Sequence, residues 1–121
     1  MSFQTWHGGL IAIAWLAVLA SPATAAQEPW IGRWAIDPEG CRVDGDTSST
    51  APLYATKTTL KRFVASCKIG RMYKTGKTVH IQARCSAEGI TSATPIILRP
   101  KGDRMAVTWD GSPVEEMRRC R

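Results

Sequence analysis

Between Thr78 and Ser86 apolar and polar residues alternate one for one. Val79, Ile81, Ala83 and Cys85 fall on one side of an extended chain, and His80, Gln82 and Arg84 on the other. A period of two is the strand period, with one face against a core and the other against water. The chain after residue 26 repeats this pattern in short runs broken by turn residues, and it offers no convincing helical stripe. Trp30 to Ile36 is the first run. It ends at Asp37-Pro38-Glu39-Gly40, where the proline presets a turn and the glycine is expected to take the position with positive φ. Arg42 to Thr50 is polar and reads as the longest loop. Pro52 to Lys57 and Leu60 to Ile69 then read as strands, the second with Leu60, Phe63, Ala65 and Cys67 on one face. After the alternating strand come Thr94 to Arg99, a turn at Pro100-Lys101-Gly102-Asp103, and a run through Met105, Val107 and Trp109. A last run around Val114 and Met117 reaches Cys120.

Roughly seven or eight short strands with brief connections specify an all-β antiparallel meander. Curling into a small closed or partly open barrel would remove its edges. The alternative is an open sheet capped by one short helix. Ser112 would be its N-cap, Pro113 would stand in the first turn, and Glu115 and Glu116 would follow.

Residues 1–26 contain no Lys, Arg, Asp or Glu, and an apolar stretch from Leu10 to Ala20 breaks at Ser21-Pro22 before Ala23-Thr24-Ala25-Ala26. That stretch is short of the roughly 20 residues a membrane span needs. Ala23 and Ala25 suit cleavage after Ala25, so 1–25 reads as a secretory signal peptide and 26–121 as a single mature domain. His7 stands where a basic residue is usual. Export to the periplasm or beyond puts Cys41, Cys67, Cys85 and Cys120 under oxidising conditions, and an even count in a small exported domain implies two disulfides. Zinc fits poorly, because there is no C-x-x-C pair and His80 is the only histidine after residue 26. If the Thr75-Gly76 turn joins two strands, residues whose numbers sum to about 151 or 152 face each other. Cys67 and Cys85 satisfy that sum, which leaves Cys41 to bond Cys120 across the closing seam. A bend at Gly70 would spoil it.

Catalytic groupings are scarce. His80 lies on the solvated face of its strand, without a G-x-S-x-G or comparable setting. The carboxylate pairs Asp37 with Glu39, Asp44 with Asp46, and Glu115 with Glu116 fall in turns or polar segments, where solvation is the default. The stretch Asp44-Gly45-Asp46-Thr47-Ser48 places oxygen donors like a calcium loop, but Ser49 stands where the turn needs Gly and Ala55 where the bidentate Glu belongs. No phosphate-cradling loop is present, and neither cofactor nor metal is expected. Absence of Asn excludes N-glycosylation.

Charge is the uneven feature. The formal net charge is +6, and no Asp or Glu occurs between Thr47 and Ala87. That stretch holds Lys57, Lys61, Arg62, Lys68, Arg71, Lys74, Lys77 and Arg84, with Tyr54 and Tyr73 among them. Consecutive hairpins would gather these cations on one side. Such a face suits an acidic protein, an anionic glycan or an anionic lipid surface, with salt-sensitive affinity. Nucleic acid is not an expected partner of an exported protein, and no transmembrane segment remains after processing. The plain alternative is that the cations solvate an outer face and guard strand edges.

At Trp30-Ile31-Gly32-Arg33-Trp34 a G-x-W opens the first strand. It resembles the opening of calycin barrels, the group that includes lipocalins and small bacterial inhibitors of secreted metalloproteases. The resemblance implies that Gly32 permits close packing and that Trp34 closes one end of the barrel. The wider pattern adds Asp37-Pro38, Cys41, Cys67, Cys85 and Arg119-Cys120, and is similar to that of small uncharacterised exported proteins of Gram-negative bacteria. Likeness to the inhibitors implies that Ala26 to Pro29 enters a target's active-site cleft, although four cysteines depart from their single disulfide. A barrel of this size should be filled by its own side chains and hold no small-molecule pocket. The expected function is that of an exported, non-catalytic binding module, either an inhibitor of a secreted hydrolase or an envelope-binding protein acting through a basic face. The alternative is a small periplasmic hydrolase using the paired carboxylates or His80.

Overall fold

A computed structural model describes residues 8–9, 12–14, 27–45 and 48–121. The expected signal peptide, 1–25, lies almost wholly outside the described residues, as do Ala26, Asp46 and Thr47. Eight strands follow one another: β1 (Gly32–Ala35), β2 (Leu53–Ala55), β3 (Thr59–Arg62), β4 (Ala65–Thr75), β5 (Thr78–Ala87), β6 (Ile90–Lys101), β7 (Arg104–Trp109) and β8 (Glu115–Arg119). Each pairs antiparallel with the next, and β8 pairs back onto β1, so the meander closes into a barrel. Among the described residues no helix is long and apolar enough to cross a membrane.

The period-two pattern builds the interior. Burial alternates along β5 as expected, with Val79, Ile81, Ala83 and Cys85 inside. They meet Trp34, Leu53, Leu60, Ile96, Leu98, Met105, Val107 and Met117 from the other strands, and together these side chains form the core of the barrel. Trp30, just before β1, closes the end at which β1 begins. It is 1% exposed, and its carbonyl accepts from Trp34 Nε1 at 3.0 Å.

Gly32 and Trp34 meet a third residue there, Arg119 of β8. Its guanidinium lies 4.3 Å from the centre of the Trp34 ring and donates to the carbonyls of Ile31 (2.9 Å) and Pro29 (2.7 Å). Gly32 has φ +141°, and a Cβ on it would stand 2.7 Å from Arg119 Nη1. The glycine therefore makes room for the arginine.

Three sequence readings are corrected. Leu60 to Ile69 is not one strand but the hairpin β3–β4, turning at Phe63-Val64. Val64 holds φ +52°, and Phe63 is 39% exposed instead of joining the inner face. A β-branched residue rarely takes this backbone, so no turn signal marks the site. The Ser112–Met117 helix does not form either, because β8 occupies Glu115 onward. Pairing with both β7 and β1 satisfies its backbone along two sides, which one exposed helical turn could not. Finally, Asp37 opens the 3-10 helix Pro38–Arg42, its Oδ1 accepting from the Glu39 amide at 2.9 Å. Gly40 takes no positive φ; a Cβ there would lie 2.5 Å from the Thr50 carbonyl oxygen and 3.1 Å from the Ala35 Cβ. The 3-10 helix thereby covers the outer side of β1 and buries Ala35.

Both disulfides join the cysteines paired from the sequence, Cys67–Cys85 and Cys41–Cys120, but not through the register expected, because the turn is Gly76-Lys77 and the bend at Gly70 restores the pairing instead of spoiling it. From the turn inward, facing residues of β4 and β5 run Thr75 with Thr78, Lys74 with Val79 and Tyr73 with His80, until a bulge at Gly70 shifts the ladder by one. Continued without it, that register would set Cys67 against Ser86 and turn Lys68 inward. With it, Cys67 faces Cys85. The other bridge joins the 3-10 helix to the residue after β8, across a seam of two residue pairs.

Candidate functional site

Strands β1 to β7 contain no Asp or Glu; every carboxylate lies in a connection, in the segment before β1, or on β8. The side chains that β3, β4 and β5 themselves contribute to the outer face therefore include no carboxylate, and the ladders place its cations. Lys61 faces Ser66, Lys68 faces Arg84, Arg71 faces Gln82, and Tyr73 faces His80. Lys61, Lys68, Arg71 and Arg84 are exposed, and none has a carboxylate within ion-pair distance among the described residues. The Gly70 bulge is what turns both Lys68 and Arg71 outward.

Tyr73 and His80 end the patch. Their rings stack with centres 4.6 Å apart and planes within 5°, and His80 Nε2 lies 2.9 Å from Thr75 Oγ1. Tyr73 is 59% exposed. Beyond Ile69 β4 has no pairing with β3, so Gly70 to Thr75 form an exposed margin of the barrel, paired with β5 alone.

The eight expected cations thus divide. Four share the patch. Arg62 instead forms an ion pair with Glu115 at 3.3 Å and lies 5.1 Å from the Trp109 ring centre. Lys74 is paired with Glu28. Lys57 and Lys77 sit in turns at the Trp30 end. Sequence reasoning missed Arg99, Lys101 and Arg104, which the β6–β7 hairpin carries to that same end. Asp103 interrupts them in sequence, so only the strand pairing shows that they cluster.

The groups expected of a hydrolase are dispersed. Asp37 caps the 3-10 helix, and Glu39 pairs with Arg42 at 3.7 Å. Glu115 and Glu116 point to opposite faces of β8, toward Arg62 and Arg104 respectively. Asp44 is described and Asp46 is not. Among the described residues no three His, Cys, Asp or Glu side chains gather as metal ligands would. Of the segment Ala26 to Pro29, Glu28 is held by Lys74 and the Pro29 carbonyl by Arg119.

The chain matches no family model, and neither curated proteins nor solved structures include a significant match to it. What defines its class is the architecture: a closed, eight-stranded, doubly disulfide-bonded antiparallel barrel with a cationic outer face.

Proposed function

We propose that the chain is an exported, non-catalytic binding module, periplasmic or secreted, that holds an anionic partner against the outer face of β3 to β5. The carrying observation is the cluster of Lys61, Lys68, Arg71 and Arg84 on strands without carboxylates, none of the four having an ion-pair partner among the described residues. Unneutralised cations this close repel one another, and an anionic partner relieves that repulsion as it binds. The exposed Tyr73 ring adds contact area beside them. Export is supported by the two disulfides, which form and persist in oxidising compartments outside the cytoplasm, and by the apolar leader. The closed meander with Gly32 and Trp34 at one end supports the resemblance to calycin barrels. Inhibition through Ala26 to Pro29 has less support than the face, since Glu28 and Pro29 are tied to the barrel.

The test uses defined probes: vesicles with and without anionic lipid, an acidic polysaccharide and its neutral counterpart, and an acidic protein. Saturable binding to one anionic probe, weakened by salt, is expected. Absence of saturable binding to all of them overturns the proposal.

A further inference from the structure

The wall of the barrel is incomplete between β3 and β4. Ile69 makes the last link, its amide donating to the Thr58 carbonyl at 2.9 Å. Beyond it Gly70 to Thr75 pair with β5 alone. The hairpin fixes where the unused backbone groups point. Thr75 faces Thr78 across the two-residue turn Gly76-Lys77, so these two exchange hydrogen bonds. The alternation of an antiparallel ladder gives the same role to Tyr73 with His80 and to Arg71 with Gln82. The N–H and C=O groups of Met72 and Lys74 therefore point away from β5, and no backbone partner meets them among the described residues.

The side chains show the same gap. Met72 lies directly opposite Ile81, which is 1% exposed, and so belongs to the inner face, yet Met72 is 41% exposed. An inner-face residue of a closed barrel is covered by the neighbouring strand, and here none runs beside it. On the outer face the same stretch carries Arg71 and Tyr73, with Lys68 just before the bulge. Lys74 is paired with Glu28, whereas Lys68 and Arg71 have no carboxylate within ion-pair distance among the described residues. These features select an occupant. An extended polypeptide matches outward N–H and C=O groups with its own, while a lipid head group or a glycan answers only the cations. A second copy would bring another Arg71 and another net charge of +6 against the same charges, so an acidic partner is favoured.

We propose that the free edge of β4 takes up an extended acidic segment of another protein as an added strand. Its backbone bonds to Met72 and Lys74. Its acidic side chains, at alternate positions, meet Arg71 on the outer face that Lys68 shares, and the apolar side chains between them cover Met72. Such a segment would be the anionic partner of the β3–β5 face, and its assignment rests on that reading.

The oxidised protein is titrated with a peptide of alternating Glu and Val and with two isomers of it, N-methylated on every Val or on every Glu. Amide exchange followed by NMR reads the edge. On binding of the parent peptide the Met72 and Lys74 amides are expected to gain protection, while those of Arg71 and Tyr73, already bonded to β5, stay as they are. One N-methylated isomer should bind about tenfold more weakly or worse, the factor of two lost hydrogen bonds, and the other as the parent does. Which isomer fails gives the direction of the added strand. Met72→Pro takes away an outward N–H and no bond to β5, a place where an edge strand tolerates proline, and should weaken the parent peptide with little change in thermal unfolding. Salt-sensitive binding that leaves both amides exchanging freely and both isomers equal to the parent overturns strand addition and leaves the cationic face standing. So does saturable binding of anionic vesicles or acidic polysaccharide without any of the peptide. Dimerisation of the free protein that Met72→Pro abolishes overturns the assignment in favour of a second copy. If no anionic probe binds, the face itself falls and the edge with it.

Discussion

Arg119 joins the last strand to the first through three contacts made by one planar group: the Trp34 ring face and the carbonyls of Ile31 and Pro29. A lysine has the charge but neither the plane nor the fork of donors. Arg119→Lys is therefore expected to lower stability by about 1–3 kcal/mol in urea unfolding, from lost stacking and hydrogen bonds. Wild-type stability in that variant would mean that charge alone suffices. Gly40 is a second residue whose role depends on one close approach. Its neighbour is a backbone oxygen, which cannot swing aside, so Gly40→Ala is expected to cost about 1–3 kcal/mol by the same measurement. Sequence marked Gly40 as a turn glycine that would take positive φ. It could not show the close approach, because a turn glycine and a glycine pressed against a remote loop carbonyl read alike until the neighbour is known.

The β4–β5 hairpin is the element on which the outer patch and the inner disulfide both depend. Its alternating strand was legible, but the Cys67–Cys85 pairing rests in sequence on a turn placed at Thr75-Gly76, whereas Thr75 pairs with Thr78 and the turn is Gly76-Lys77. Gly70 was legible only as a risk. In the folded chain it is the bulge that corrects the register by one residue, and a Cβ there would stand 2.9 Å from the Gln82 carbonyl oxygen. Gly70→Val should cost about 1–3 kcal/mol and lower the yield of the Cys67–Cys85 bridge on oxidative refolding, as read by disulfide mapping. Full yield with unchanged stability would show that the ladder tolerates a side chain at the bulge. The β3–β4 turn was illegible for the opposite reason. Phe63-Val64 carries none of the residues that turns prefer, and its backbone is imposed by the strands on either side. Of the candidate site, the charge run from Lys57 to Arg84 was visible. The loss of Arg62 and Lys74 to ion pairs was not, because Glu115 and Glu28 are remote in sequence.

The whole molecule is small enough that its cross-links carry much of its stability. Cys41 and Cys120 are 79 residues apart and only partly buried, so replacing both by Ser removes the link with little loss of packing. In the chain-entropy account this costs about 4 kcal/mol, measurable by denaturant unfolding. A loss below about 1 kcal/mol would show that the β1–β8 seam holds without its staple. At this scale charge is also divided, and the strands opposite β4 and β5 around the barrel are β8 and β1. That geometry supplies a matched control for the central claim. Lys68→Glu, Arg71→Glu and Arg84→Glu change the net charge as much as Arg42→Glu, Arg118→Glu and Arg121→Glu do, but on opposite sides. The deciding measurement is affinity for the anionic probe against ionic strength in these two triple variants and the wild type. Binding lost in the first variant and retained with its salt dependence in the second is the predicted result. Equal weakening in both would reduce the attraction to overall charge and contradict a binding face on β3 to β5.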